Sequence, residues 1–237
     1  MSDKIINRNY GSIQHLPMSK MISDQDKLLP IREVEWLTVK TRVPSDVVIV
    51  TEKVDGCNVG VLRNKRKLYP IIRKGYDVRT NPYEWIREFA DFVEVNKDRF
   101  VKLLNDGERV CGEWMVKTHT LSYNMKHEPL ICFDLINGSY RDSYLNAKHR
   151  LEANGFVTAG LVHYGSAIPI EYATKMLGSG FHGALNEPEG VVYRYENKET
   201  GYVFSGKFVS NHLVGENDLF HKNIDDESLR NKYRYWN

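Results

Sequence analysis

The chain has 237 residues, of which 41 % are hydrophobic, and its formal net charge is +2. This length suits one large domain or two small ones with a substantial core, and we expect a single domain over 1–237 that ends in a short tail, 210–237. No apolar run approaches the roughly 20 residues that span a bilayer, and the polar opening MSDKIINRN is unlike a secretory signal. A charge of +2 is too small to indicate nucleic-acid binding by itself, so local clusters must carry that argument.

Three strands are predicted around the sequence Thr-Glu-Lys-Val-Asp-Gly at 51–56. Their composition places them at 47–50, 58–62 and 68–72. Asp55 and Gly56 suit a turn between the first two strands, because glycine adopts backbone conformations that a side chain forbids. Lys53 is therefore expected at a strand end.

Helical and strand signals alternate irregularly along the rest of the chain. A helix is predicted with Asn81 as N-cap, Pro82 at its first position and Glu84 at N3. Glycines end two further predicted helices, at 143–154 and 170–177. Strands are predicted at 110–116, 130–136, 191–195 and 203–209. The mixture predicts an α+β fold with largely antiparallel sheets.

The three cysteines, Cys57, Cys111 and Cys132, are widely spaced and form no C-x-x-C pair. This spacing indicates neither a structural zinc site nor a disulfide framework. All three lie in apolar, strand-like runs, which favours reduced thiols in the core and a cytoplasmic location.

The motif Lys53-Val54-Asp55-Gly56 makes Lys53 the candidate nucleophile. A lysine attacks phosphorus only as the free amine, so the surroundings are expected to keep Lys53 deprotonated part of the time. By itself K-x-D-G is weak evidence, because it recurs by chance and commonly marks a solvated hairpin.

Five further motifs follow in order: Ile72-Arg73-Lys74-Gly75, Cys111-Gly112-Glu113-Trp114, Cys132-Phe133-Asp134-Leu135, the run from Glu189 to Arg194, and Gly206-Lys207-Phe208-Val209. This ordered set resembles the nucleotidyl motifs of the covalent nucleotidyltransferase superfamily, which comprises ATP-dependent DNA ligases, RNA ligases and mRNA capping guanylyltransferases. The similarity is greatest to a phage and bacterial group of ATP-dependent RNA ligases, through Tyr10, His15-Leu16-Pro17, Ser19, His119 and Tyr123. It covers about residues 10 to 210.

The resemblance implies a catalytic role for the lysine motif and its partners. Lys53 attacks the α-phosphate of ATP and retains AMP, with Asp55 counted among the catalytic residues. Lys207 holds the α-phosphate charge, and Glu189 acts on a divalent cation, Mg²⁺ or Mn²⁺. The family's last motif often carries two lysines spaced by one residue; Ser205 stands two before Lys207, so which family lysine Lys207 represents stays open.

Binding roles are implied in the same way. Nucleotide contacts are implied for Glu52, Arg73, Glu113, Phe133 and Lys207. Nucleic-acid contacts are implied for Asn58, Arg73 and Lys74. In this scheme Glu52 reads the adenine edge, Glu113 contacts the ribose hydroxyls and Phe133 stacks on adenine. Arginine suits a 5'-phosphate because of its planar fork of donors.

Two basic clusters either bind nucleic acid or form an ordinary solvated face. One is a predicted hairpin tip with Arg63, Lys65, Arg66 and Lys67. The other is the tail with Arg230, Lys232, Arg234, Tyr233, Tyr235 and Trp236.

The implied protein is an ATP-dependent RNA ligase that joins 5'-phosphate and 3'-hydroxyl RNA ends. Its implied fold is an α+β nucleotidyltransferase domain, ATP-grasp-like as in ligase adenylation domains, and we expect a cytoplasmic monomer from a bacterial cell or phage-infected host. A minimal DNA ligase, a capping guanylyltransferase and a non-catalytic module that binds nucleic-acid ends are alternatives. About 28 residues follow the last motif. This is too few for an OB-fold and argues against the DNA ligase and the guanylyltransferase. Nicked duplexes, broken tRNA loops and free single strands stay open as substrates.

Overall fold

The computed structural model describes residues 4–6, 10–21, 24–210, 226 and 228–234. Its strands form two sheets. The order in the five-stranded sheet is β1 (Gln14–His15), β11 (Gly201–Val209), β10 (Gly190–Asn197), β2 (Asp46–Lys53) and β9 (Leu161–Gly165). The order in the six-stranded sheet is β4 (Lys67–Ile72), β3 (Cys57–Asn64), β5 (Glu108–Trp114), β6 (Leu130–Asn137) and β7 (Tyr140–Arg141), with β8 (Val157–Thr158) beside β6. Only β1–β11 and β6–β8 pair in parallel among these strands, which confirms the predicted antiparallel α+β class.

The described residues also form five α-helices: α1 (Ile31–Thr38), α2 (Glu84–Val95), α3 (Lys97–Leu103), α4 (Tyr144–Ala153) and α5 (Ile170–Leu177). The Ser143 side chain caps α4 by accepting from the Asn146 N–H, as the sequence pattern indicates. The predicted start of α2 is wrong, because Asn81 ends a 3₁₀ turn and its side-chain oxygen accepts from the N–H of Tyr83. The helix therefore begins at Glu84.

The two strands that flank Lys53 do not pair with each other. β2 lies in the five-stranded sheet and β3 in the six-stranded sheet, so residues 54–56 cross from one sheet to the other. The interpretation of Asp55-Gly56 as a hairpin turn is therefore wrong. Gly56 is required by close packing, since a Cβ there would lie 2.8 Å from the backbone oxygen of Trp114 and 2.6 Å from the sulfur of Met115.

Helices cover the outer face of each sheet. Trp85 and Phe89 of α2 pack with Trp114 in the core of the six-stranded sheet. Leu37 of α1 and Tyr193 of β10 belong to the core of the five-stranded sheet. Because side chains alternate along a strand, the remaining residues of both sheets face one another across a cleft. No helix in the described part of the chain is long and apolar enough to cross a membrane.

The C-terminal residues 228–234 return to the loop that follows β5. Arg230 forms two hydrogen bonds with the carboxylate of Glu88 on α2, at 2.6 and 3.0 Å. Tyr233 packs against the hydrophobic core. This part of the tail thus contributes to the fold, whereas Tyr235 and Trp236 of the predicted basic cluster lie outside the described residues.

Candidate active site

A cavity occupies the cleft between the two sheets. Its walls include seven of the residues for which the sequence implied a function: Glu52, Lys53, Asn58, Arg73, Glu113, Phe133 and Lys207. These residues come from strands of both sheets and from the segment that follows β4. The fold therefore brings most of the candidate residues to one place, although they span more than 150 positions in the sequence.

Lys53 forms an ion pair with Glu189 at the margin of this cavity. The pairing follows from strand register, because Lys53 lies opposite Gly190 in the β2–β10 pair. Burial lowers the pKa of the Lys53 amine, but the charges of Glu189, Asp55 and Glu113 outweigh burial and raise it above its ordinary value. The raised pKa favours the protonated amine, so the expected deprotonation of Lys53 stays a prediction.

Asp55 binds the loop that follows β5. Its Oδ2 accepts hydrogen bonds from the N–H groups of Thr120 and Leu121, at 2.7 and 2.8 Å. The hydroxyl of Tyr123 accepts from the Asp55 N–H at 3.1 Å. Asp55 and Tyr123 thus connect the Lys53 motif with the six-stranded sheet. The sequence pattern assigns no chemistry to Tyr123, and in the structure its contacts hold the loop against Asp55.

Asn58 and Glu113 are opposite one another in the β3–β5 pair. The amide of Asn58 donates to Glu113 Oε2 at 3.3 Å. Burial raises the pKa of Glu113 to about 7, and the carboxylates of Glu189 and Asp55 add to this rise against the lowering effect of Lys53. The negative charge of Glu113 is therefore incompletely compensated by its neighbours.

Buried carboxylates of this kind fit a divalent cation. Magnesium uses few protein carboxylates and completes its shell with water and phosphate oxygens. Glu189 is the residue that would hold it here. A full protein cage is not present, since no cluster of three or more ligating side chains occurs among the residues that the structure describes.

Lys207 and Ser205 both line the cavity from β11, because residues two apart share a face of a strand. Burial and the charge of Lys53 lower the pKa of Lys207. Its neighbour in β1 is His15, whose Nδ1 lies 2.7 Å from Ser19 Oγ. His15 and Ser19 thus fix the segment that adds a strand beside Lys207.

Arg73 contacts the N-terminal segment that forms one wall of the cavity. Its guanidinium donates to the carbonyl of Gly11 at 2.6 Å and to Ser12 Oγ at 2.7 Å. Arg73 is nevertheless exposed, so its remaining donor capacity faces solvent at the cavity edge. Lys74 is also exposed but does not line the cavity.

The carboxylate of Glu52 points away from Lys53, as alternation along β2 requires. Its Oε2 accepts from the N–H of Phe181 at 2.6 Å. Burial raises the pKa of Glu52 to about 7. The carboxylate thus supports the loop that leads from α5 to Glu189, and the contact with the adenine edge stays a prediction.

An ionic network next to Phe133 was not assigned from the sequence. Asp134 accepts hydrogen bonds from the Tyr10 hydroxyl at 2.6 Å and from Arg194 at 2.5 Å, and it pairs with Arg141 at 3.2 Å. Tyr10 also meets Phe133 edge-on, with ring centroids 5.5 Å apart. Tyr10, Asp134 and Arg194 all lie in the quoted motifs, but Arg141 had no sequence signal.

The basic hairpin tip lies away from the cavity. Asn64 at the tip lies six positions beyond Asn58, or about 20 Å along the strand. Arg63 uses its guanidinium to bind the carbonyl oxygens of Val101 and Leu104 at the end of α3. None of the four basic residues of this cluster lines the cavity.

The fold is shared with RNA ligases of known structure. An archaeal ATP-dependent RNA ligase is 18 % identical, with a TM-score of 0.51, over 86 % of this chain and 48 % of its own. Naegleria gruberi RNA ligase with PPi is 16 % identical, with a TM-score of 0.55, over 95 % of this chain and 63 % of that protein. A mutant of the Naegleria enzyme with ATP and Mn is 16 % identical, with a TM-score of 0.54, over 92 % of this chain and 63 % of that protein. This chain thus spans about half to two thirds of the length of these relatives.

Residues 46–209 match the family model for RNA ligases. That match covers most of the chain, so the protein belongs to the RNA ligase family. No curated protein matches it. The similarity to the solved structures, all below 20 % identity for those named above, shows a shared fold.

Proposed function

We propose that this protein is an ATP-dependent RNA ligase. The observation that carries the proposal is the placement of Lys53 beside Glu189, Glu113 and Lys207 within one cleft of an RNA ligase fold. Phosphoryl and nucleotidyl transfer depend on positioning and on neutralising charge. This cleft offers a nucleophile, a phosphate-binding cation and carboxylates for a metal.

The proposed reaction has three balanced displacements. First the Lys53 amine, after losing a proton, attacks the α-phosphorus of ATP, a P–N bond forms and pyrophosphate leaves. Next an oxygen of an RNA 5'-phosphate attacks the same phosphorus, and the P–N bond breaks to return the lysine. Finally a 3'-hydroxyl attacks the 5'-phosphorus, AMP leaves and the hydroxyl proton is released.

The residues around Lys53 have distinct parts in this proposal. Lys207 stabilises the negative charge that builds up on the α-phosphate. A divalent cation, when bound by Glu189, would supply further positive charge to the triphosphate. Glu189 also holds the amine of Lys53 in place, and the proposed attack requires that Lys53 first lose a proton.

Nucleotide and RNA are proposed to bind next to one another in the cleft that contains Lys53. Phe133 stacks on adenine and Glu113 contacts the ribose, with Glu52 near the base. Asn58, Arg73 and Lys74 contact the 5'-phosphate end of RNA, for which the exposure of Arg73 and Lys74 is favourable. We further infer that the protein acts on RNA ends as a cytoplasmic monomer, with a nicked duplex among the candidate substrates.

The first test is covalent labelling followed by intact mass measurement. Wild-type protein incubated with ATP and magnesium should gain the mass of one AMP. Lys53→Ala should gain none, while Lys175→Ala, which removes an exposed lysine on α5, should label normally. An AMP adduct on Lys53→Ala would contradict the assignment of the nucleophile. Labelling by GTP in preference to ATP would indicate a guanylyltransferase.

A second test separates the sealing step from adenylation. Asn58→Ala and Arg73→Ala should slow the sealing of a pre-adenylated strand more than they slow adenylation of Lys53. A 3'-terminal ribose should be sealed faster than a 3'-deoxyribose, because the terminal 2'-hydroxyl distinguishes the two. Equal sealing rates for the 3'-ribose and the 3'-deoxyribose ends would support a minimal DNA ligase instead.

A further inference from the structure

The described end of the tail reaches the loop that holds the nucleophile motif. This loop, residues 115–123, donates two N–H groups to Asp55 and offers the Tyr123 hydroxyl to the Asp55 N–H. On its other side the loop binds residues of the tail, with a backbone bridge between Lys117 and Arg230. The loop is therefore held between the tail and the motif that carries Lys53.

Asn231 is the centre of this contact. Its side chain is buried, with a relative exposure of 5 %. Its Oδ1 accepts from the Tyr123 N–H at 2.8 Å and from Thr118 Oγ1 at 3.1 Å. Its Nδ2 donates to the carbonyl oxygens of Met115 at 2.7 Å and Lys117 at 3.2 Å. One side chain thus fixes both ends of the loop.

These four bonds use the full hydrogen-bonding capacity of a carboxamide, two donors and two acceptor positions. Aspartate in the same place would set a carboxylate against two carbonyl oxygens, and alanine would leave buried backbone groups without partners. Asparagine is therefore well suited to this position. The tail's neighbouring ion pair, Arg230 with Glu88, anchors the tail to α2 and offers an internal comparison.

We propose that Asn231 is a positioning residue for Lys53. It acts through Tyr123: the carboxamide fixes the Tyr123 backbone, and the Tyr123 hydroxyl fixes the Asp55 backbone two residues from the nucleophile. The inference rests on the proposed function and deepens it, because it makes a residue beyond the last nucleotidyl motif part of the adenylation site. Small displacements of a nucleophile slow a reaction steeply.

The test measures adenylation of the full chain at saturating ATP in single-turnover conditions. Asn231→Ala should lower the rate of AMP transfer to Lys53 by about tenfold or more, with the ATP concentration for half-maximal rate changed less than about twofold. Arg230→Ala, which weakens tail anchoring elsewhere, should keep the wild-type rate. Equal losses in both variants would show that the tail acts only through stability, and a wild-type rate in Asn231→Ala would refute the inference.

A second variant keeps the inference testable if Asn231→Ala does not fold. Tyr123→Phe removes only the hydroxyl that accepts from Asp55, and it should slow adenylation with the same unchanged ATP dependence. If both variants fold, their combined effect should be smaller than the product of the single effects, because they act on one path. A wild-type rate in Tyr123→Phe, or fully independent effects, would overturn the proposed route. Failure of the wild-type protein to label with ATP would instead refute the proposed function.

Discussion

Removing the Asp55 carboxylate should destabilise the protein, because two backbone donors lose a charged acceptor. Hydrogen bonds to a charged group contribute about 1.5–3 kcal/mol each, and the two here measure 2.7 and 2.8 Å. Asp55 is only partly buried, so water compensates some of the loss. We therefore expect Asp55→Ala to lower the free energy of unfolding by about 2–4 kcal/mol. Asp55→Asn keeps one oxygen that can accept and should cost about 1–2 kcal/mol.

The assay is equilibrium urea unfolding followed by tryptophan fluorescence, compared at equal m-values. Asp91→Ala is a suitable control, because this exposed aspartate on α2 should change stability by less than about 0.5 kcal/mol. If Asp55→Ala unfolds at the wild-type urea concentration, the reasoning is refuted and Asp55 has no structural role. Loss of adenylation with unchanged stability would assign Asp55 to the chemistry alone.

Three further outcomes follow from the structure. Burial lowers the pKa of His182 to about 4, against about 6.5 in the unfolded chain. Between these pH values the unfolded state binds more protons, so the free energy of unfolding should fall by up to about 3 kcal/mol from pH 6.5 to 4. His182→Gln should flatten this pH dependence in urea titrations. Gly190→Ala should disrupt β10 and abolish labelling, since its Cβ would lie 2.0 Å from the Phe208 oxygen; normal labelling would show that the strands separate easily. Burial raises the pKa of Cys57 and Cys111 to about 12, so native protein at pH 8 should react with Ellman's reagent far more slowly than urea-unfolded protein, and equal rates would contradict this.

The sequence determined the secondary structure and the set of candidate residues to a large extent. The helix from 144 to 153 has a serine cap and a glycine after its end, both of which are local features. Strands β10 and β11 follow from alternation and from the turn between them. The motif order makes Lys53, Glu113 and Lys207 candidate site residues, because each family motif consists of neighbouring residues. These are short-range patterns, and short-range patterns are readable from one sequence.

The tertiary structure alone decided which strands pair and how each charge is neutralised. Residues 54–56 look like a turn locally, yet they join two sheets, because pairing depends on partners far along the chain. The direction in which the pKa of Lys53 shifts depends on Glu189, 136 residues away, and no local pattern predicts that balance between burial and ion pairing. Asn231 is an ordinary polar residue in the sequence. Its four hydrogen bonds arise only when the tail folds back on residues more than 100 positions earlier.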